Sequence, residues 1–74
     1  MTDTAWMLRE LTLRGPRTTN QLIFDSLRSR GYGLTPHSRK ADLRRAGHNV
    51  TCRRVPSHTG RPCWVYELVK EKAA

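Results

Sequence analysis

Four basic side chains occur within seven positions of the stretch TPHSRKADLRRAG, residues 35–47, where the only acid is Asp42. An arginine can donate two hydrogen bonds to the exposed edge of a guanine, and arginine and lysine both bind phosphate. A run of charges on a helix can equally be a solvated face. The stretch is therefore either a helix that lies against a polyanion or a solvated basic helix. Its basic residues are Arg39, Lys40, Arg44 and Arg45.

The net charge of +8 is concentrated in the middle of the 74-residue chain. Positions 28–61 hold nine basic residues and one acid, whereas basic and acidic residues balance in the flanking segments. A charge excess confined to one contiguous segment indicates a surface for DNA or RNA, the commonest cytosolic polyanions. The nine basic residues are Arg28, Arg30, Arg39, Lys40, Arg44, Arg45, Arg53, Arg54 and Arg61.

Two helices are predicted in the first thirty residues. Helix 1, about residues 4–14, has apolar residues at helical spacing and ends before a Gly-Pro pair. Helix 2, about residues 19–30, follows two candidate N-caps, Thr18 and Thr19, and ends before Gly31. The apolar face of helix 2 consists of Leu22, Ile23 and Leu27.

A third helix, about residues 36–46, contains the basic stretch. Thr35 is a suitable N-cap, Pro36 suits the first helical position, and Gly47 suits the left-handed position that follows a helix. Only three positions inside it are apolar, so more of this helix is polar than packing alone requires. The apolar positions are Ala41, Leu43 and Ala46.

Beyond Gly47 the apolar period changes from 3.6 to 2, which predicts strands at about residues 49–55 and 63–69. The segment PSHTGRP between them is rich in turn-forming residues, so we expect an antiparallel hairpin with a basic tip. The expected fold is a single α+β domain over residues 1–74, a three-helix winged helix-turn-helix with a C-terminal two-stranded β-hairpin wing.

The runs GPRTTNQL, RKADLRRAGHNV and RVPSHTGRPCWVYEL together resemble the small winged helix-turn-helix domains found in phage and prophage proteins. The resemblance covers roughly residues 7–68. It implies DNA binding with helix 3 as the recognition helix. One position departs from the pattern, since Lys40 stands where such domains usually have an apolar residue. Either the Lys40 stem packs while its ammonium reaches water or phosphate, or the facing of helix 3 is shifted by one position.

The side chains near the start of a helix in the major groove reach base edges, and the rest of the helix contacts phosphate. Arg39 is the first candidate for direct readout, and its structural alternative is a surface ion pair with Asp42. The base-reading candidates are Thr35, His37, Ser38 and Arg39. The phosphate candidates are Thr19, Lys40, Arg44 and Arg45, and the wing candidates for the DNA backbone or minor groove are Arg53, Arg54, His58 and Arg61.

Other kinds of site are disfavoured by the spacing of the remaining residues. His48, Cys52, His58 and Cys63 are zinc-ligand types, but their spacing fits no common zinc site. We predict no metal, no cofactor and no catalytic residues, because His37 and Ser38 lack a third partner and no phosphate-binding loop occurs. The aromatic residues Trp6, Trp64 and Tyr66 are expected to pack in the core or along the hairpin, in preference to the alternative that they stack on nucleic-acid bases. The two cysteines are expected to remain reduced thiols.

Two functions remain open at this stage. The first is a double-stranded DNA-binding protein, either a phage-type transcriptional regulator or an excisionase-like architectural factor. The second is a small inhibitor module that docks an acidic protein, such as a host nucleic-acid enzyme. We expect a cytoplasmic protein, in the nucleoid or host-cell cytosol, because residues 1–13 contain charges where a signal peptide is apolar. A monomer or weak homodimer without membrane contact is expected.

Overall fold

The computed structural model describes residues 2–57 and 59–69. This part of the chain forms three helices and a small antiparallel sheet, and two of the strands follow the last helix. The predicted α+β class with three helices is confirmed. In chain order the elements are α1 (Asp3–Arg14), β1 (Arg17–Thr18), α2 (Thr19–Arg30), α3 (Pro36–Arg45), β2 (Val50–Pro56) and β3 (Pro62–Leu68).

Side-chain caps set where the first two helices begin. The hydroxyl of Thr2 accepts a hydrogen bond from the Ala5 amide at 3.1 Å, at the start of α1. A capping box begins α2, because Thr18 accepts from the Gln21 amide while the Gln21 side chain accepts from the Thr18 amide. These contacts use amides that would otherwise have no partner within the helix.

The basic helix α3 is held differently from the other two. Thr35 occupies the predicted N-cap position, but its side chain makes no capping hydrogen bond. Pro36 occupies the first turn. The helix ends one residue before the predicted position 46, and Gly47 follows with a φ of 96°, a left-handed conformation that side chains rarely adopt.

The sheet has three strands in the order β1-β3-β2, so the predicted two-stranded sheet is wrong in its strand number. Strands β2 and β3 pair antiparallel, from Val50 opposite Leu68 to Pro56 opposite Pro62. The additional strand β1 is only two residues long and pairs with the other edge of β3. A two-residue strand is too short to show an alternating pattern, which is why sequence reasoning missed it.

One core lies between the helices and the inner face of the sheet. It is built from three residues of α1, one residue from each of the other helices, a loop residue and two residues of the sheet. Leu27 does not join it, because 47% of this residue is exposed, and the fully buried positions of α2 are Leu22 and Ser26. The core residues are Trp6, Met7, Leu11, Leu22, Leu34, Leu43, Val50 and Tyr66.

Among the described residues, no helix combines the length and apolar character needed to cross a bilayer.

Candidate nucleic-acid interface

The outer face of α3 follows from its two buried residues. Pro36 and Leu43 are buried and lie seven positions apart, so they point to the same side of the helix. At 100° per residue, Ser38 and Arg45 project from the opposite side, with His37 on its shoulder. All three of these side chains are exposed. Two of the predicted base-reading residues, His37 and Ser38, therefore lie on the accessible side of the helix.

Arg39 is partly buried and is paired with an acid. Its Nη2 lies 3.3 Å from Oδ2 of Asp42, and only 29% of its side chain is exposed. Its Nε is buried and has no hydrogen-bond partner in the part of the chain that the structure describes. Asp42 also binds Nη2 of Arg45 at 3.1 Å and accepts from the Thr4 hydroxyl at 3.4 Å. The structure thus contains the ion pair that was the alternative to base readout by Arg39.

Of the two α3 arginines that pair with Asp42, Arg45 is the more accessible. Its side chain is 77% exposed even though one nitrogen contacts Asp42. Arg44 is exposed as a residue but donates from Nε to the carbonyl oxygen of Val50 at 2.8 Å. That bond joins the end of α3 to the first residue of β2, so Arg44 has a structural contact in addition to its predicted contact with phosphate.

Lys40 lies beside a crevice between α3 and the inner face of the sheet. The crevice has a volume of about 470 Å³. The residue is partly buried, which agrees with a packed aliphatic stem and not with a fully solvated side chain. The residues that line the crevice are Thr19, His37, Lys40, Cys52, Trp64 and Tyr66.

Thr19 and Tyr66, which line this crevice, make polar contacts there. The hydroxyl of Thr19 lies 3.5 Å from the carbonyl oxygen of Trp64, so this predicted phosphate contact faces the sheet. Burial raises the pKa of Tyr66, and a hydrogen bond with Thr19 partly opposes that rise. The Tyr66 hydroxyl is therefore neutral at physiological pH and remains a hydrogen-bond donor.

The hairpin carries its arginines on both faces. Residues directly opposite each other in an antiparallel pair share a face, and Arg54 stands opposite Trp64 while Arg53 stands opposite Val65. Arg54 therefore faces the side on which α3 lies, and Arg53 faces away from it. Both are exposed and form no ion pair with any residue of 2–57 or 59–69.

The turn between β2 and β3 is stabilised by its own small polar residues. Ser57 hydrogen-bonds to the Thr59 hydroxyl at 2.8 Å and donates to the carbonyl of Arg61, and the Gly60 amide bonds back to Ser57. The Arg61 side chain is exposed. His58, the fourth predicted hairpin contact, lies outside the described residues.

Not every basic residue in the 28–61 segment is available to a ligand. Arg30 pairs with Asp3, only 12% of its side chain is exposed, and its guanidinium carbon lies 4.4 Å from the centre of the Tyr32 ring and 5.6 Å from that of Trp6. Arg30 therefore connects the end of α2 to the start of α1. Arg28 lies on α2 beside Arg14, away from the crevice.

Two features of this surface were missed by sequence reasoning. Trp64 lies along the hairpin as expected, but its 48% exposure and its place in the lining of the crevice were not predicted. Its position opposite Arg54 in the alternating pattern was the available signal. The inward facing of Arg39 was also missed, although its spacing from the two buried residues of α3, three after Pro36 and four before Leu43, was an available signal.

The two cysteines are free thiols and lie on opposite faces of the sheet, since Cys52 stands opposite Tyr66 and Cys63 opposite Val55. In the described ranges, no group of three or more histidine, cysteine, aspartate or glutamate side chains could hold a metal ion. No protein-family model, curated protein or solved structure matches the chain.

Proposed function

We propose that this chain binds double-stranded DNA, with α3 in the major groove and the β2–β3 hairpin on the phosphate backbone or in the minor groove. The supporting observation is the distribution of exposed charge. Arg45 and the three hairpin arginines are exposed. Asp42 is already shared by two arginines, and Glu67 lies on the outer face of the sheet, diagonal to Arg53 and away from α3. Positive surface with so little opposing charge favours a polyanion.

The same proposal treats the molecule as a winged helix-turn-helix. In that interpretation α2 and α3 are the helix-turn-helix pair, the β2–β3 hairpin is the wing, and β1 completes the sheet beside α2. An element order of α-β-α-α-β-β with a three-stranded antiparallel sheet is compatible with this fold. A helix about as wide as the major groove, with its exposed face away from the core, has the shape that groove binding requires.

Within DNA binding, the resemblance to phage and prophage domains favours a transcriptional regulator or an excisionase-like architectural factor acting in the cytoplasm. A domain of this size reads only a few base pairs, so useful specificity requires a weak dimer, repeated sites or a partner.

A second candidate is an inhibitor module that docks an acidic protein. One observation favours it: Phe24 and Leu27 on α2 are 65% and 47% exposed, which gives the chain an apolar surface that DNA would not use. In this alternative the basic face would meet acidic side chains in place of phosphates.

Selection from a random duplex pool tests the proposal. We expect enrichment of a short motif, with Lys40 and the hairpin arginines required for retention. The proposal would be contradicted if the protein recovers no duplex from the pool and binds an acidic protein tightly at the same salt concentration.

A further inference from the structure

The crevice between α3 and the sheet has a composition that the binding of an intact duplex does not explain. One wall is the half-exposed indole of Trp64, and the floor is formed by Cys52 and the buried ring of Tyr66. Its volume of about 470 Å³ lies within the range of roughly 300–1,000 Å³ that is usual for small-molecule sites. The crevice is thus large enough for one planar ring.

Charge at the mouth of the crevice is positive. Lys40 belongs to its lining, and Arg54 stands directly opposite Trp64 on the same face of the sheet. None of the described residues that line the crevice is acidic. An aromatic wall beside cationic groups is complementary to a nucleotide, which has a flat base and an anionic phosphate.

We infer that this crevice binds one unpaired nucleotide of a DNA strand, with its base stacked on Trp64 and its phosphate on Lys40. The inference rests on the proposed function and specifies the kind of DNA that the same face prefers. In an intact duplex each internal base is covered by its neighbours, and the pair at a blunt end is two bases wide, so a crevice the size of one ring takes only an unpaired base. The preferred ligand is therefore a duplex with a short single-stranded overhang.

Tryptophan emission provides a direct measurement on the wild-type protein. Trp6 is 2% exposed and Trp64 is 48% exposed, so quenching by an added strand reports on Trp64. We expect a short single-stranded oligonucleotide to quench the emission, and a blunt duplex at the same phosphate concentration to quench it much less. Equal quenching by both, or none by either, would overturn the inference.

Binding measurements on matched duplexes provide the second test. A duplex with a three-nucleotide overhang, at its 5′ or its 3′ end, is expected to bind at least about five-fold tighter than the same duplex with blunt ends. Trp64→Leu is expected to abolish this ratio and Trp64→Phe to retain part of it. Phe24→Leu is the matched control, since Phe24 is also an exposed aromatic residue but lies on α2, and it should leave the ratio unchanged.

The outcomes separate this inference from the proposed function. Blunt and overhanging duplexes that bind equally well would overturn the inference and leave duplex binding intact, whereas weak binding to both would contradict the proposed function. A free mononucleotide that quenches Trp64 as strongly as the strand does, at equal nucleotide concentration, would also overturn the inference. Circular dichroism verifies that each variant folds. If the Trp64→Leu variant does not fold, the quenching measurement on the wild-type protein tests the inference instead.

Discussion

Asp42 neutralises part of the α3 surface that is proposed to meet DNA. Its two carboxylate oxygens contact Arg39 at 3.3 Å and Arg45 at 3.1 Å, and it is the only acid between positions 28 and 61. A carboxylate in this place repels phosphate and holds two guanidinium groups that could otherwise bind it. The acid therefore limits how tightly the helix holds any sequence, which makes it a direct test of the proposed contact.

Asp42→Asn is expected to raise the affinity for duplex DNA by about five-fold, because it frees two arginines and removes a repulsive charge worth up to about 1 kcal/mol. Fluorescence anisotropy at constant salt measures the change. Asp25→Asn is the control, because this substitution changes the net charge by the same amount and Asp25 pairs with Arg17 outside the basic segment. Equal gains in the two variants would show that only total charge matters and that α3 does not contact the DNA.

Single residues also explain why the sequence predicted some features of the site and not others. The positions of His37 and Ser38 on the open side of α3 agree with the predicted helix bounds, which are set by the Pro36 and Gly47 signals. Arg39 lies on the buried side of α3, as its spacing from Leu43 implies, whereas the contact between Asp42 and Thr4 of α1 is long-range and leaves no local pattern. The exposure of Trp64 likewise depends on how α3 packs over the sheet.

At the scale of elements, the junction between α3 and β2 is held by a side chain. Arg44 donates to the Val50 carbonyl, while the Gly47 and His48 amides bond back to the end of α3. Local signals predicted this junction well, because Gly47 is needed for the left-handed turn and the change of period marks the strand. The two-residue strand β1 had no such signal, and it forms because the chain entering α2 runs alongside β3.

Arg44→Ala is expected to destabilise the domain by about 1 kcal/mol, since it removes this hydrogen bond and leaves the Val50 carbonyl with one partner fewer. For a domain of this size, that is a fall in Tm of about 4–8 °C. Arg45→Ala should change Tm by much less, because its side chain is exposed. Thermal unfolding followed by circular dichroism compares them, and equal Tm values would mean that the Arg44 bond does not contribute to stability.

The hairpin is expected to bind DNA without reading sequence. Replacing Arg53, Arg54 and Arg61 together with alanine should weaken all duplexes by similar factors and leave Tm nearly unchanged, because exposed charges contribute little to folding. Binding to a selected and a random duplex, together with a thermal melt, tests this. Loss of folding would show that the arginines are structural, and a loss confined to the selected duplex would show that the hairpin reads bases.

At the scale of the whole molecule, the structure divides the chain's charges into two groups. Glu10, Asp25 and Asp3 each pair with an arginine and connect or brace the helices. Of the other basic residues that the structure describes, Arg9 lies on α1 and Arg28 on α2, and the rest lie along α3 and the hairpin. Composition alone predicted where the excess charge is in the sequence. It could not predict that Arg30 is used internally, because the cage formed by Asp3, Trp6 and Tyr32 exists only after folding.

This division predicts the salt dependence of binding. Arg30 and the less exposed Arg39 are paired with acids, and Arg28 lies away on α2. Arg45 also contacts Asp42, but its side chain is 77% exposed and can still reach phosphate. Six basic residues are therefore counted for phosphate: Lys40, Arg44, Arg45, Arg53, Arg54 and Arg61. At about 0.9 counterions released per contact, log K should fall with log salt at a slope near −5.

The hairpin triple variant should reduce that slope to about −3, because three of the six contacts are lost while those of α3 remain. Titrations of the same duplex between low and physiological salt give both values. A wild-type slope shallower than about −2 would contradict duplex binding and favour the acidic protein partner. An unchanged slope in the triple variant would place the phosphate contacts on α3 alone and leave the hairpin without a role in DNA binding.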